Sequence, residues 1–189
     1  MYRYSPSARP PAAALALLAG LAATPAAAQD ARAFEGPRVE ATVGLDQLRF
    51  DLAAIGGSGR DRSSDIGYGV AVGYDRAVAP HVLLGVEAGT TFSNVSYADD
   101  ALRRRREIDV AARIGTPVSS NALLYGKVGY SNLQVREIGN VRDLDGVLLA
   151  AGAEVKVSPM AYLKSEYRYA NYGDGYTSNG ILTGVGIRF

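Results

Sequence analysis

The 189-residue sequence contains no cysteine and a single histidine. Without cysteine, neither a disulfide scaffold nor thiol chemistry is available. A charge excess is missing too, with 20 basic residues against 19 acidic ones. That balance gives no support to a nucleic-acid partner. The third absence is a long apolar run. The most apolar stretch, Ala12 to Ala23, is shorter than the about 20 residues that a membrane-spanning helix needs. Such a chain can cross a bilayer only as a closed β-barrel, in which every backbone polar group is paired between strands.

The chain does begin with a targeting pattern. Arg3 and Arg9 precede the apolar run, and Ala26-Ala27-Ala28 places small residues just before Gln29. Residues 1–28 are therefore expected to be a cleaved secretory signal, leaving 29–189 as one barrel domain. Removing them takes two arginines and no acid, so the 20 bases become 18 against 19 acids.

Downstream, apolar and polar residues alternate in segments of roughly ten, the length of a tilted transmembrane strand. In the last segment Ile181, Thr183, Val185, Ile187 and Phe189 share one face, and Leu182, Gly184, Gly186 and Arg188 share the other. Seven earlier segments follow the same rule, starting at Val39, Ile66, Leu84, Ile108, Leu124, Val147 and Ala161. Eight strands suit antiparallel closure. Near Asp46-Gln47 the apolar phase slips to Leu48 and Phe50, which predicts a bulge or an early loop.

The breaks alternate in length. Those at 78–81, 116–121 and 158–160 are short and each contains a proline, while about 51–65, 94–105, 136–145 and 171–179 are longer and polar. Short periplasmic turns and long outer loops are the outer-membrane arrangement. Tyr68, Phe92, Tyr130, Tyr167 and Tyr169 then fall at the loop-side ends of the strands, and Tyr74 and Phe189 at the turn-side ends. Two aromatic girdles at two headgroup levels account for this distribution.

Alternation alone does not say which face is inside. A soluble secreted barrel would bury the branched residues. The signal pattern, the terminal aromatic and the girdles instead place the face of glycines and charges inward. Its middle layer is Glu87, Arg113, Lys127, Glu154, Lys164 and Glu166, three acids and three bases. Buried charges must be paired, so the lumen is expected to be stitched shut by ion pairs.

With its signal pattern, eight strands, the Glu166-Tyr-Arg-Tyr169 stretch and the Phe ending, the chain resembles the small outer-membrane β-barrel proteins of Gram-negative bacteria. These include the opacity-type porin family and OmpA-like transmembrane barrels. The resemblance implies that Gly184, Ile187 and Phe189 form the signal read by the barrel-assembly machinery. Leu182 departs from that signal, which favours a polar residue there. It also implies a central salt-bridge gate, with acids on strands three and six (Glu87, Glu154) and bases on strands four and seven (Arg113, Lys164). The peptidoglycan-binding domain of OmpA has no counterpart after the barrel, so wall tethering is not implied.

Three functions are compatible with such a barrel. The favoured one is a non-enzymatic outer-membrane protein with a structural and surface-interaction role. The alternative is a small-solute pore gated by the lumen charges. The third, an outer-membrane lipid-modifying enzyme or protease, generally needs a histidine near the outer leaflet to activate a serine. The single histidine, His81, falls in a periplasmic turn beside Pro80. No metal cluster is visible and no cofactor is expected. Arg103, Arg104, Arg105 and Arg106 close the second long loop and are candidate contacts to lipopolysaccharide phosphates, because guanidinium forks bind phosphate bidentately. A solvated charge run is the plainer reading of the same residues.

Overall fold

Strict alternation lets each strand of this chain bury one face and expose the other, and closing the sheet on itself removes its edges. The computed structural model describes residues 30–51, 60–93, 96–97, 102–137, 140–172 and 176–189. The segment 1–28 lies outside them. A short 3-10 helix, Ala31–Phe34, is followed by β1 (Gly36–Asp51), β2 (Arg60–Ala79), β3 (Val82–Ser93), β4 (Ser96–Tyr97), β5 (Leu102–Pro117), β6 (Ala122–Glu137), β7 (Asn140–Lys156), β8 (Ala161–Asn171) and β9 (Tyr176–Arg188). All pairings are antiparallel. β1 pairs with both β2 and β9, and β3 pairs with β5, so eight long strands close into a barrel. The two-residue β4 only extends the β3 side above β5. Among the described residues no helix is long and apolar enough to cross a membrane.

The slant of the strands can be read from the register. One row of partners runs Pro37, Tyr74, Val86, Ala112, Val128, Leu149, Tyr169, Asn179 and returns to β1 at Gln47. The row has climbed from position 37 to position 47, ten residues in one circuit. An eight-stranded barrel with this stagger has an interior just wide enough for side chains to fill.

The outward faces are those expected from the alternation. Val43, Leu45, Ile66, Val70, Val86, Val110, Val128, Val147 and Val185 are all exposed, as lipid-facing positions are. Tyr68, Phe92, Tyr130 and Tyr167 are exposed towards one end, and Tyr74 and Phe189 towards the other. Tyr68 and Phe92 stack with ring centroids 5.7 Å apart. Serines help to hold two of the three short turns, those at 116–121 and 158–160. Ser119 Oγ accepts from the Ala122 N–H at 2.9 Å, and Ser158 Oγ accepts from the Ala161 N–H at 2.9 Å. These side-chain bonds add to backbone ones, since the Val118 N–H donates to Ala122 O and the Val157 N–H to Ala161 O, each at 2.9 Å.

Three expectations are corrected. No bulge occurs at Asp46-Gln47, because β1 keeps one continuous register with both neighbours through Phe50. The bulges lie instead between Ala77 and Ala79 and between Arg104 and Arg106. Second, the third long break is mostly strand, since β6 runs to Glu137 and β7 resumes at Asn140. Outside the hydrocarbon a strand no longer needs apolar alternation, so its pattern fades before its hydrogen bonds do. Third, Arg103–Arg106 belong to β5 for the same reason. Arg106 is exposed, and the side chains of Arg103, Arg104 and Arg105 lie outside the described residues.

Candidate functional site

The lumen is built from long polar side chains set beside glycines on neighbouring strands. Asp75 stands between Gly36 and Gly85, and Glu87 faces Gly73 on one side and Ala111 on the other. Tyr125 lies between Gly115 and Gly152, and Tyr162 is paired with Gly186. The fit is tight: a Cβ at Gly85 would lie 2.0 Å from Asp75 Oδ1, and one at Gly186 would lie 2.2 Å from Tyr162 Cζ. Except at Gly36, whose φ of +125° also calls for glycine, these residues supply space rather than conformational freedom, so that a narrow barrel can hold groups as large as arginine and tyrosine.

Into that space project ten charged side chains of one connected network. Nearest the short turns, Asp75 Oδ2 is a hub, 3.0 Å from Arg38 Nε, 3.0 Å from Arg188 Nη2 and 3.4 Å from Arg113 Nη1. Glu154 reinforces it, with Arg113 at 2.6 Å and Arg188 at 3.0 Å. Arg38 then links upward to Glu40 at 2.5 Å and Glu87 at 2.7 Å. Lys127 bridges Glu87 at 2.5 Å and Glu166 at 2.6 Å. Lys164 pairs with Glu40 and lies 3.3 Å from Glu166. Five bases thus face five acids, each less than a tenth exposed. Mutual pairing is what makes this arrangement tolerable, since an isolated buried charge costs several kcal/mol, of the order ~3–5 when a partner is removed.

Two tyrosines complete the network. Tyr125 Oη donates to Glu166 Oε2 at 2.7 Å and Tyr162 Oη donates to Glu40 Oε1 at 2.6 Å. Their rings carry cations as well, with the Arg113 guanidinium 3.9 Å from the Tyr125 centroid and that of Arg188 5.0 Å from the Tyr162 centroid. Stacking in a desolvated site adds attraction beyond the ion pairs themselves.

A smaller charged layer lies towards the loop-side end. Arg168 Nη2 is 3.0 Å from both Glu107 and Asp109, and Ser131 Oγ donates to Glu107 Oε1 at 2.7 Å. Two cavities flank this layer, of about 20 and 10 Å³. Each has room for about one water.

Apolar seals close the charge-filled middle at both ends. On the loop side Leu133, Leu144, Leu148, Ala170 and Tyr172 pack into a buried cluster inside the barrel. On the turn side the 3-10 helix folds into the mouth, where Ala31 and Phe34 pack with Leu83 and Leu123. The Ala31 N–H donates to Pro80 O at 2.8 Å, Asp30 caps the helix through the Arg32 N–H at 2.9 Å, and Lys156 Nζ sits 4.1 Å from the Phe34 ring centroid while donating to Ala33 O.

All six charges singled out in the sequence project into the lumen. Of the gate residues, Arg113 pairs with Glu154, whereas Glu87 does not meet Arg113 and pairs with Lys127 and Arg38. One middle layer was too narrow a description. Glu40, Asp75 and Arg188 share the inward parity and could have been found by following it to the strand ends. Arg38 escapes because β1 starts three residues before the apolar alternation does. The inward leucines carry no such signal, since an apolar residue suits either face. Gly184 and Ile187 occupy β9, with Ile187 exposed, and the Phe189 N–H donates to Pro37 O at 3.0 Å. His81 is exposed in the β2–β3 turn. Among the described residues no group of His, Cys, Asp and Glu could hold a metal ion.

A closed, eight-stranded antiparallel barrel with an apolar outside and a charged inside defines the class of outer-membrane β-barrels. Residues 13–189 match the family described as outer membrane protein beta-barrel domain, and the chain belongs to that family. Solved structures agree on the fold. Neisserial surface protein A is similar at a TM-score of 0.59 and 16% identity, over 82% of this chain and 97% of that one. Ail, the attachment invasion locus protein of Yersinia pestis, gives 0.55 and 18%, over 82% and 99%. The N-terminal β-barrel domain of Pseudomonas aeruginosa OprF gives 0.50 and 13%, over 80% and 97%. A comparison with curated protein sequences finds no match.

Proposed function

We propose that this outer-membrane barrel is a closed structural and surface-interaction protein rather than a pore or an enzyme. The observation that carries the reading is the double seal: ten paired charges held between the Leu133–Leu148 cluster and the Phe34 stopper. A solute path would have to break ion pairs and both apolar seals together. Catalysis is disfavoured by the position of His81, exposed in a turn at the end opposite the long outer loops. Proteoliposomes carrying the refolded protein should not swell in isotonic small sugars. Swelling as fast as in liposomes with an open porin would refute the closed reading and favour the gated pore.

Two contacts are proposed with it. Arg103, Arg104, Arg105 and Arg106, at the outer end of β5, bind lipopolysaccharide phosphates. Changing all four to Gln should weaken lipopolysaccharide binding and flatten its salt dependence, and an unchanged salt slope would leave the run merely solvated. Gly184, Ile187 and Phe189 present β9 to the barrel-assembly machinery. Phe189→Ser should then cut membrane insertion far more than Tyr74→Ser, another exposed aromatic at the same end. Equal insertion would remove the role.

A further inference from the structure

The lipid-facing wall is not uniformly convex. A groove of about 650 Å³ crosses it from Leu84 on β3 to Tyr167 and Tyr169 on β8, with Ala112, Gly126 and Ala151 along its floor. The floor is low because the residues are small, and the barrel interior does not demand that. A Cβ at Gly126 would meet its nearest atom, Ala150 O, only at 3.8 Å, an ordinary contact distance. At Gly129, three residues on along the same strand, a Cβ would lie 2.2 Å from Val110 O. Gly126 therefore leaves space on the outside of the wall, where lipid lies.

The groove has the dimensions and the direction of one acyl chain. From β3 to β8 it crosses four of the eight strand gaps, an arc of about 19 Å at ~4.8 Å per gap, which a chain follows by bending round the wall. It follows the same rows that climb ten residues per circuit, so it slants. With strands tilted by about 40° the groove falls by about 12 Å, close to the ~15 Å depth of one leaflet. Its high end lies on β8 at the loop-side girdle. There Tyr167 Oη donates to Asn179 Oδ1 at 2.9 Å, and exposed Asn171 sits one outward position above Tyr169. Neutral amides and phenols suit the hydroxyl and amide groups of a sugar-based headgroup.

A second copy of this chain fits the groove less well. A two-fold interface sets the same patch against itself, and a concave strip facing its own copy leaves a void. We infer that the groove holds one acyl chain of an outer-leaflet glycolipid, with its headgroup end against Tyr169, Asn171 and Asn179. This is distinct from the proposed arginine contacts, which belong to the loop-side end of β5, whereas the groove's headgroup end is on β8.

The test uses the refolded full barrel, purified lipid A as probe, and native mass spectrometry to count retained lipids. Gly126→Leu with Ala151→Leu fills the floor, Ala112→Leu fills it by a second route, and Ala41→Leu adds the same bulk on the opposite wall. All four positions face outward, so heat-shifted gel migration should report an intact barrel in each variant. Wild type and the Ala41 variant should retain one more lipid A than either filled variant, whose retention should fall about tenfold. Equal retention in all of them would overturn the inference. So would a wild-type preference for phosphatidylethanolamine over lipid A, or a dimer that the filled variants alone lose.

Discussion

Lys127 Nζ lies 2.5 Å from Glu87 Oε1 and joins β6 to β3 past the intervening β5. The same ammonium is 2.6 Å from Glu166 on β8, so one cation ties together three strands that share no hydrogen bonds with one another. Removing either partner leaves the buried network one charge out of balance, although Lys127 keeps Glu166 and Glu87 keeps Arg38. Glu87→Ala and Lys127→Ala should each destabilise the barrel, by less than the about 3–5 kcal/mol that a wholly unpaired buried charge costs. The double variant should cost clearly less than the sum, by about 1 kcal/mol or more. Glu87→Ala with Arg113→Ala should be nearer to additive, because these two do not touch and are linked through intermediates such as Arg38 and Asp75. Urea unfolding followed by circular dichroism measures all of these. Stronger coupling in the second pair than in the first would mean that the network is wired differently.

The glycines separate into those that make room inside and one that does not. Gly186→Ala drives a methyl into the Tyr162 ring, which in turn holds Glu40. The expected loss is about 1–3 kcal/mol, the usual cost of overpacking. Gly126→Ala should change stability by less than about 0.5 kcal/mol, as an unencumbered outer position does. If both substitutions were neutral in the same unfolding assay, the interior would be looser than these distances allow.

The turn-side stopper is a testable element in its own right. Arg32 is exposed, yet it lies within a 3-10 helix anchored on either side by buried Ala31 and Phe34. Cleavage after Arg32 by trypsin requires the segment to leave the mouth, a local opening with its own free energy. Phe34→Ala, and to a smaller extent Lys156→Gln, should speed that cleavage while the barrel stays intact. Cleavage rates equal to wild type would show that Phe34 and Lys156 do not hold the segment.

The sequence makes the barrel legible for a physical reason: a strand with lipid on one side and charge on the other must alternate, and that alternation survives in Val147 to Val157 as clearly as in Ile181 to Phe189. Glycine next to charge on the inward parity even announces how the lumen is filled. Where the environment stops imposing two opposite chemistries, the pattern stops informing. Leu102 to Arg106, Arg136 to Glu137 and Asn140 to Asp145 are strand although they look like loop. Leu133, Leu144 and Leu148 are inward and apolar, and nothing local distinguishes them from lipid-facing residues. Individual partners are a further step away. Parity puts Glu87, Lys127 and Arg113 in one lumen, but the choice of Lys127 over Arg113 depends on stagger and on the reach of each side chain.

The central claim is that the lumen is closed by paired charges between two apolar seals, and ionic current across a planar bilayer tests it most directly. Purified, refolded wild-type protein should insert without steady conductance at neutral pH. A variant that opens all three barriers, Phe34→Ser with Glu87→Ala and Leu148→Ser, should show discrete current steps. A wild-type barrel that conducts steadily, at a level these three substitutions do not raise, would contradict the account.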